Sequence, residues 1–402
     1  MPILGTQSSR GGGTPTAPTS VSASAGNATA SVSFTASSYT GKGNATYTAI
    51  SSPGNITATG TSPITVTGLT NGTAYTFTVR ATSSTGETAT SSASASVTPV
   101  NPPSVSGGTL SSDATYYYRT FTGNGSLVVS NASIALEALI IGAGGGGGGA
   151  MSYDTEQDFT GGGGAGGVNT VSGTYSAATY GITIGAGGTG GDNSTGTGNT
   201  GNNTVAFSTT MNGGQGGSIS GPTYSGNGSS GGTGGAYFQN NATKALIFNA
   251  QNAGSFGNKG GNGAADPNAE NATSAWGGGG GGRGGAGGAG STSRSGNGGA
   301  GTSSYSTWAS ATGTGVSSVY AGGGGAGAGQ GGPAAGFAGS GGGGAGGASQ
   351  TVGNAATANT GSGGGSAGIW PYIGGRPVQG RFGGNGASGL VIVRYLRSAV
   401  GG

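Results

Sequence analysis

Runs of glycine decide most of what this chain can fold into. Of its 402 residues 103 are Gly, and sixteen of those precede Gly142, which leaves 87 in the 261 residues that follow, one in three. Glycine loses more backbone entropy on ordering than any other residue and has no side chain to bury, so such a region has no ordinary hydrophobic core available. It is either a flexible linker or held together by its own main chain. Aromatic residues recur between the runs, and apolar strand-like segments bracket them at 134–141 and 390–395. A solvating linker lacks such residues, and bracketing strands that pair require the two ends of the region to meet.

A collagen triple helix is excluded, because the runs lack a strict Gly-X-Y period and only Pro222, Pro267, Pro333, Pro371 and Pro377 follow Gly142. The remaining physical route is a packed array of polyproline II helices. Each has three residues per turn and no internal hydrogen bonds, so all its N–H and C=O groups are free to pair with neighbours. Glycine on the facing rows permits the close approach, and a run of Gly and Ala meets that condition in every register. At about 3.1 Å per residue an eight-residue run spans roughly 25 Å.

Upstream the composition differs. Residues 14–100 alternate Thr, Ser and apolar positions at strand period, as in Ala30-Ser31-Val32-Ser33-Phe34 and Tyr75-Thr76-Phe77-Thr78-Val79, with turn signals at Ser52-Pro53-Gly54, Asn71-Gly72 and Thr85-Gly86. This predicts a β-sandwich of about seven strands. The stretch from Gly68 to Val79 resembles the E-to-F corner of fibronectin type III domains, with Leu69 and Tyr75 where that family keeps a core Leu and a corner Tyr. Phe34 departs from the pattern, standing on a strand that usually holds a buried Trp. The resemblance implies a spacer or docking module. The expected organisation is therefore all-β plus polyproline II: a leader or attachment peptide (1–13), a fibronectin type III-like sandwich (14–100), a linker around Pro102-Pro103 (101–107), and a glycine-rich polyproline II domain with framing strands (108–402).

Composition also removes most chemistries. With no Cys and no His there is no thiol or imidazole nucleophile, no serine–histidine triad and none of the usual zinc ligands. Twelve Lys and Arg against nine acidic residues, scattered along the chain, do not form a track for phosphates, so no nucleic acid partner is expected. The longest apolar stretch, 134–141, is interrupted by Glu137 and is far short of the roughly 20 residues that span a bilayer. No secretory signal is expected at the start.

Asp154, Glu156 and Asp158 alternate in a way that suits Ca²⁺ with backbone carbonyls, although a solvated loop is the plainer reading. No metal, cofactor or catalytic residue is otherwise indicated. The positive signal is the set of rigid aromatics lying beside Gly, Ser and Asn: Tyr153, Phe159, Tyr224, Tyr237, Phe238, Trp276, Tyr305, Trp308, Trp370 and Tyr372. Binding loops use that mixture, because large amphipathic rings supply contact area and small polar residues supply adaptable hydrogen bonds. The plainer alternative is that the rings cap the ends of the glycine array.

Glycine-rich runs separated by aromatic segments, over about 142–389, resemble the receptor-binding adhesins at the tips of long tail fibres of tailed phages. The opening Met1-Pro2-Ile3-Leu4-Gly5-Thr6 and closing Leu390-Val391-Ile392-Val393-Arg394-Tyr395 are similar to the ends of glycine-rich virion proteins of marine phages. The resemblance implies a non-enzymatic virion protein, made in the host cytoplasm and carried on the particle. Its partners would be other virion proteins through the N-terminal region and a host cell-surface receptor, glycan or protein, with homo-oligomerisation left open. A purely structural decoration or fibre subunit, or an extracellular filament subunit, is the alternative expectation.

Overall fold

Alternation of Thr and Ser with apolar residues places one face of each N-terminal strand inward. The computed structural model describes residues 13–153, 156–158, 160–192, 194–218, 235–238, 246–247, 255–265, 275–329, 334–369 and 381–401. Two units separate, one holding the described residues up to Ser104 with Ser130–Ala132, the other holding Val105–Val129 and the described residues from Ser133 on. Both are built from antiparallel strands with almost no helix among the described residues, an all-β fold.

The first unit contains β1 (Thr19–Ala25), β2 (Thr29–Thr35), β3 (Thr46–Ser52), β4 (Thr57–Thr59), β5 (Ile64–Thr67), β6 (Thr76–Thr82) and β7 (Thr88–Thr90). They form two sheets, β1-β2-β5 and β4-β3-β6-β7. Ala30, Val32 and Phe34 of β2, Ile64 and Val66 of β5, and Phe77 and Val79 of β6 share one buried cluster. Leu69 and Tyr75 are each 4% exposed, and the Thr70 N–H donates to the Tyr75 hydroxyl at 3.1 Å. That bond ties the turn to the strand that follows it.

The second unit adds β8 (Ser104–Ser106), β9 (Thr109–Ser112), β10 (Tyr116–Phe121), β11 (Gly125–Ser130), β12 (Ile134–Ile141), β13 (Met151–Tyr153), β14 (Glu156–Asp158), β15 (Val168–Tyr175) and β16 (Ala178–Thr183). Farther along come β17 (Thr204–Ala206), β18 (Thr209–Met211), β19 (Gly235–Phe238), β20 (Leu246–Ile247), β21 (Ala264–Ala265), β22 (Ala275–Trp276), the α-helix α1 (Ser306–Thr312) and β23 (Leu390–Leu396). Two five-stranded sheets, β15-β12-β23-β10-β9 and β18-β17-β16-β11-β8, face each other. Between them lie Leu127, Val129, Leu136, Ala138, Ile140, Ile182, Val391 and Val393. The closing strand β23 pairs antiparallel with both β10 and β12, so Ile392 stands opposite Thr120 on one side and Leu139 on the other. The two ends of the glycine region meet in this sheet.

Between the framing strands the glycine runs travel away from the sheets and back. Run 142–149, which continues β12, is completely surrounded. Gly142, Gly145 and Gly148 donate to the carbonyls of Gly167, Gly164 and Gly161; Ala143 and Gly146 donate to Asn202 and Asn199; Gly144 and Gly147 donate to Ala387 and Gly384. Its carbonyls accept from three other runs: Gly188 and Gly191 donate to Gly144 and Gly147, Gly214 and Gly217 to Ala143 and Gly146, and Gly364 and Ala367 to Gly145 and Gly148. From Ala143 to Gly148 every N–H and every C=O is thus bonded, at 2.8–3.3 Å. The direction of bonding rotates through the neighbours every three residues. Burial follows the same period on run 185–191, where Gly185, Gly188 and Gly191 are buried while Ala186 and Thr189 face solvent.

This packing leaves no space for side chains. A Cβ on Gly144, Gly147 or Gly280 would come closer than 3.0 Å to the carbonyls of Ser362, Gly365 and Gly163 respectively. Where two runs stand slightly apart, a buried hydroxyl bridges them. Ser366 Oγ accepts from the Gly327 N–H at 2.7 Å and donates to the Thr160 carbonyl at 2.8 Å, and Ser362 Oγ accepts from Gly322 and donates to the Gly341 carbonyl. At the margin of the array asparagines do the equivalent. Asn385, Asn203 and Asn297 offer their Oδ1 to the outer N–H groups of Gly190, Gly213 and Phe337, so few polar groups are left unsatisfied there.

Candidate functional site

The runs have two ends, and the sequence-predicted binding residues divide between them. At the end remote from the sandwich sheets, β13, β14, β19 and β20 form a small four-stranded sheet, and the hairpin β21-β22 lies against β19 and β20. The antiparallel register sets Tyr153 opposite Glu156 and Glu156 opposite Phe238, with Ser152, Gln157 and Tyr237 in the adjacent row. Directly opposed residues share a face of a sheet and alternate rows switch faces. Tyr153, Glu156, Phe238 and Asp158 therefore occupy positions on one face and Tyr237 a position on the other. Segments separated by some eighty residues of chain are brought into one sheet, a juxtaposition that sequence spacing does not reveal.

Trp276, which opens the run 277–282, is 6% exposed and its indole N–H makes no hydrogen bond among the described residues. It packs against Gly290, where a Cβ would collide with it. Phe159, Tyr224, Trp370 and Tyr372, and the carboxylate Asp154, lie outside the described residues, as do residues 1–12 of the expected leader. Among the described residues no group of three or more carboxylates is arranged to hold a metal ion.

Tyr305 and Trp308 stand elsewhere, and for Trp308 the structure corrects the expectation of an exposed binding ring. Both belong to α1 or its start, at the end of the array that joins the sheets. Tyr305 occupies the N-cap position and Gly313 ends the helix in the left-handed conformation, φ +65°, which glycine adopts without steric cost. Trp308 is 4% exposed and packs with Leu139, Ile141, Tyr320 and Ile392 on the outer face of the β12-β23-β10 sheet. An apolar sheet face needs a cover, and the helix supplies it. Tyr118 meets the Trp308 ring edge-on at 6.1 Å.

Beside that core Arg394 is held on several sides. Its guanidinium lies over the rings of Trp308 and Tyr116 at 4.3 and 4.6 Å, and its Nε and Nη2 both donate to Glu137 Oε2 at 2.9 and 2.6 Å. Cation–π stacking and a charge-assisted pair fix the planar group. Next to it the Tyr118 hydroxyl donates to Asp113 Oδ2 at 2.7 Å. Burial first, then this bond to a carboxylate, pushes the Tyr118 phenol up to about 12. The Arg394 cluster clamps the first and last framing strands together. Nothing in the sequence marked Arg394 or Glu137 as partners, since they are far apart in the chain and meet only through the β12-β23 pairing.

Back at the remote end a second cation is displayed. Arg294 closes the turn that starts at Ser291, its guanidinium 3.9 Å from the centre of the Phe337 ring, and its Nη1 donates to the Ala335 carbonyl at 2.9 Å. Phe337 is 62% exposed. No helix among the described residues is long and apolar enough to cross a membrane.

A family model described as a glycine-rich domain matches residues 119–396, and the chain belongs to that family. No curated protein matches it.

Proposed function

We propose, from membership of the glycine-rich domain family and the placement of the aromatic segments, that this is a non-enzymatic phage virion protein whose remote end recognises the surface of a bacterial host. The glycine array acts as a rigid scaffold, and the strands at its far end carry the recognition surface. The observation that carries the reading is the gathering of positions 153, 156, 237, 238 and 276 at one end of an array that has almost no side chains of its own. Large rings on short strands and loops above a rigid base are suited to recognition by shape and stacking.

Two finer readings of the fold accompany it. The three-residue period of hydrogen bonding and burial supports polyproline II conformation for the runs. The strand order β1-β2-β5 against β4-β3-β6-β7, together with the Thr70–Tyr75 bond, supports a fibronectin type III module for the first unit. That module serves as a spacer or a docking platform toward other virion proteins.

The test uses the purified full chain, fluorescently labelled, on cells of the strain that propagates particles carrying it. Saturable binding is expected, and because Tyr237 and Phe238 stand at positions on opposite faces of the far-end sheet, one of Tyr237→Ser and Phe238→Ser is expected to reduce it at least tenfold while the melting temperature holds. Absence of saturable binding would leave a purely structural subunit. Binding unaffected by both substitutions would remove the far-end sheet from the recognition surface.

A further inference from the structure

We infer that the flank of the array near its remote end binds a polysaccharide carrying carboxylate or phosphate groups, through Arg294 and a belt of exposed residues that includes Phe337, Val352 and Phe382. This rests on the host-surface reading above and names the chemistry of its ligand. Four adjacent runs are tied at one level by successive hydrogen bonds: Gly346 to Gly336, Asn354 to Ala345, and Gly353 to Phe382. Phe337, Val352 and Phe382, 62%, 47% and 56% exposed, therefore stand on neighbouring runs of one flank. Between Phe337 and Val352 lie half-buried Ala345 and Gly346 and the exposed small polar residues Thr351 and Asn354. The result is a belt with an exposed ring near each end and small polar groups between them. Exposed rings supply contact area for a ligand, and small polar side chains supply adaptable hydrogen bonds.

The charge beside the belt says what kind of ligand fits. Stacking on Phe337 and the bond from Nη1 to Ala335 hold the Arg294 guanidinium in place. Its Nε and Nη2, the edge that pairs with two oxygens of one oxyanion, make no hydrogen bond among the described residues. A fixed planar fork is matched to carboxylate or phosphate. A sugar ring laid on the belt places its apolar face on Phe337, and a carboxylate or phosphate substituent meets the fork. A neutral chain gains the stacking alone.

The experiment titrates the full chain with polygalacturonate, a phosphorylated mannan and neutral dextran. Binding of one of the two acidic polymers is expected, which also identifies the oxyanion, with dextran at least tenfold weaker. Arg294→Gln is expected to weaken the acidic polymer at least tenfold, and Phe337→Ala by a similar factor. Phe337 is exposed and Arg294 half-buried with one hydrogen bond from Nη1, so the melting temperature of Phe337→Ala is expected to hold and that of Arg294→Gln to fall only slightly, and Arg294→Lys separates planar pairing from bare charge by restoring little. Equal binding of dextran, no binding of either acidic polymer, or unchanged affinity in Arg294→Gln would overturn the inference. If Arg294→Gln still binds host cells like the parent chain, the belt fails while host recognition stands; if the parent chain binds no cells, the host reading itself fails.

Discussion

Replacing Gly280 by Ala asks whether the second unit is held by its main chain. In a site that accepts a methyl group this change stabilises a protein by about 0.4–1 kcal/mol, because the unfolded chain loses freedom. Gly280 is buried; its N–H donates to the Gly324 carbonyl at 2.8 Å and its carbonyl accepts from the Gly299 N–H at 2.8 Å. The added Cβ would lie closer than 3.0 Å to the Gly163 carbonyl, which itself accepts from Gly324 at 2.8 Å. To reach ordinary contact the runs must part, and these bonds stretch together. Losing two or three buried bonds costs about 1–3 kcal/mol each, so after the unfolded-chain gain the net effect is a destabilisation of roughly 1–8 kcal/mol, centred on about 4 kcal/mol. For a unit of this size that is a fall of on the order of 10 °C in melting temperature. Gly181, in β16, is the control: a Cβ there meets nothing within 4 Å, and Gly181→Ala is expected to melt like the parent or slightly higher. Differential scanning calorimetry reads the transition of the second unit. If the two variants melt within about 2 °C of each other, main-chain packing is not what holds the unit together.

Two further outcomes follow from single side chains. Ser366→Ala leaves the buried Gly327 N–H and Thr160 carbonyl without their shared partner, and is expected to cost about 2–4 kcal/mol in a thermal melt; a loss below about 0.5 kcal/mol would mean that the bridge contributes nothing. Asp192 is held at about 2 by the Ser194 hydroxyl first, then by the backbone N–H groups of Thr195 and Ser194 and the Thr195 hydroxyl. A carboxyl depressed in the folded state contributes stability that is complete above its unfolded value of 3.8 and is lost as pH falls toward 2. A carbon-13 NMR titration is expected to place its midpoint near 2 and to show it rising in Ser194→Ala; a midpoint near the ordinary carboxylate value would contradict the turn geometry.

The glycine count and its concentration from Gly142 onward made main-chain cohesion legible from the chain alone. So were the framing strands: apolar runs at 134–141 and 390–395 became β12 and β23, which pair with each other. Which run lies beside which was not legible, because stretches of Gly and Ala are degenerate in register. The information sits in the few interruptions, with serines at buried bridges and asparagines at the margin. The helix α1 was missed, since Ser306–Thr312 is too short to show a helical period. Trp308 was misplaced for the same reason. A ring flanked by Ser, Thr and Ala looks like a loop tip until the uncovered sheet face beneath it is known. Arg294 and Phe337, 43 residues apart, carried no shared signal and met only through neighbouring runs.

From Ala143 to Gly148 the run takes all its partners from backbone atoms, and the stability of that stretch depends little on the identity of residues in the connecting segments. A conventional core couples surface changes to interior packing through side-chain volume; here that coupling is nearly absent. Substitutions, insertions or wholesale replacement of the remote strands can accumulate while the supporting rods keep their geometry. On the proposed host-recognition role, a lineage pressed to change its target can thus rewrite one end of the molecule without renegotiating the rest.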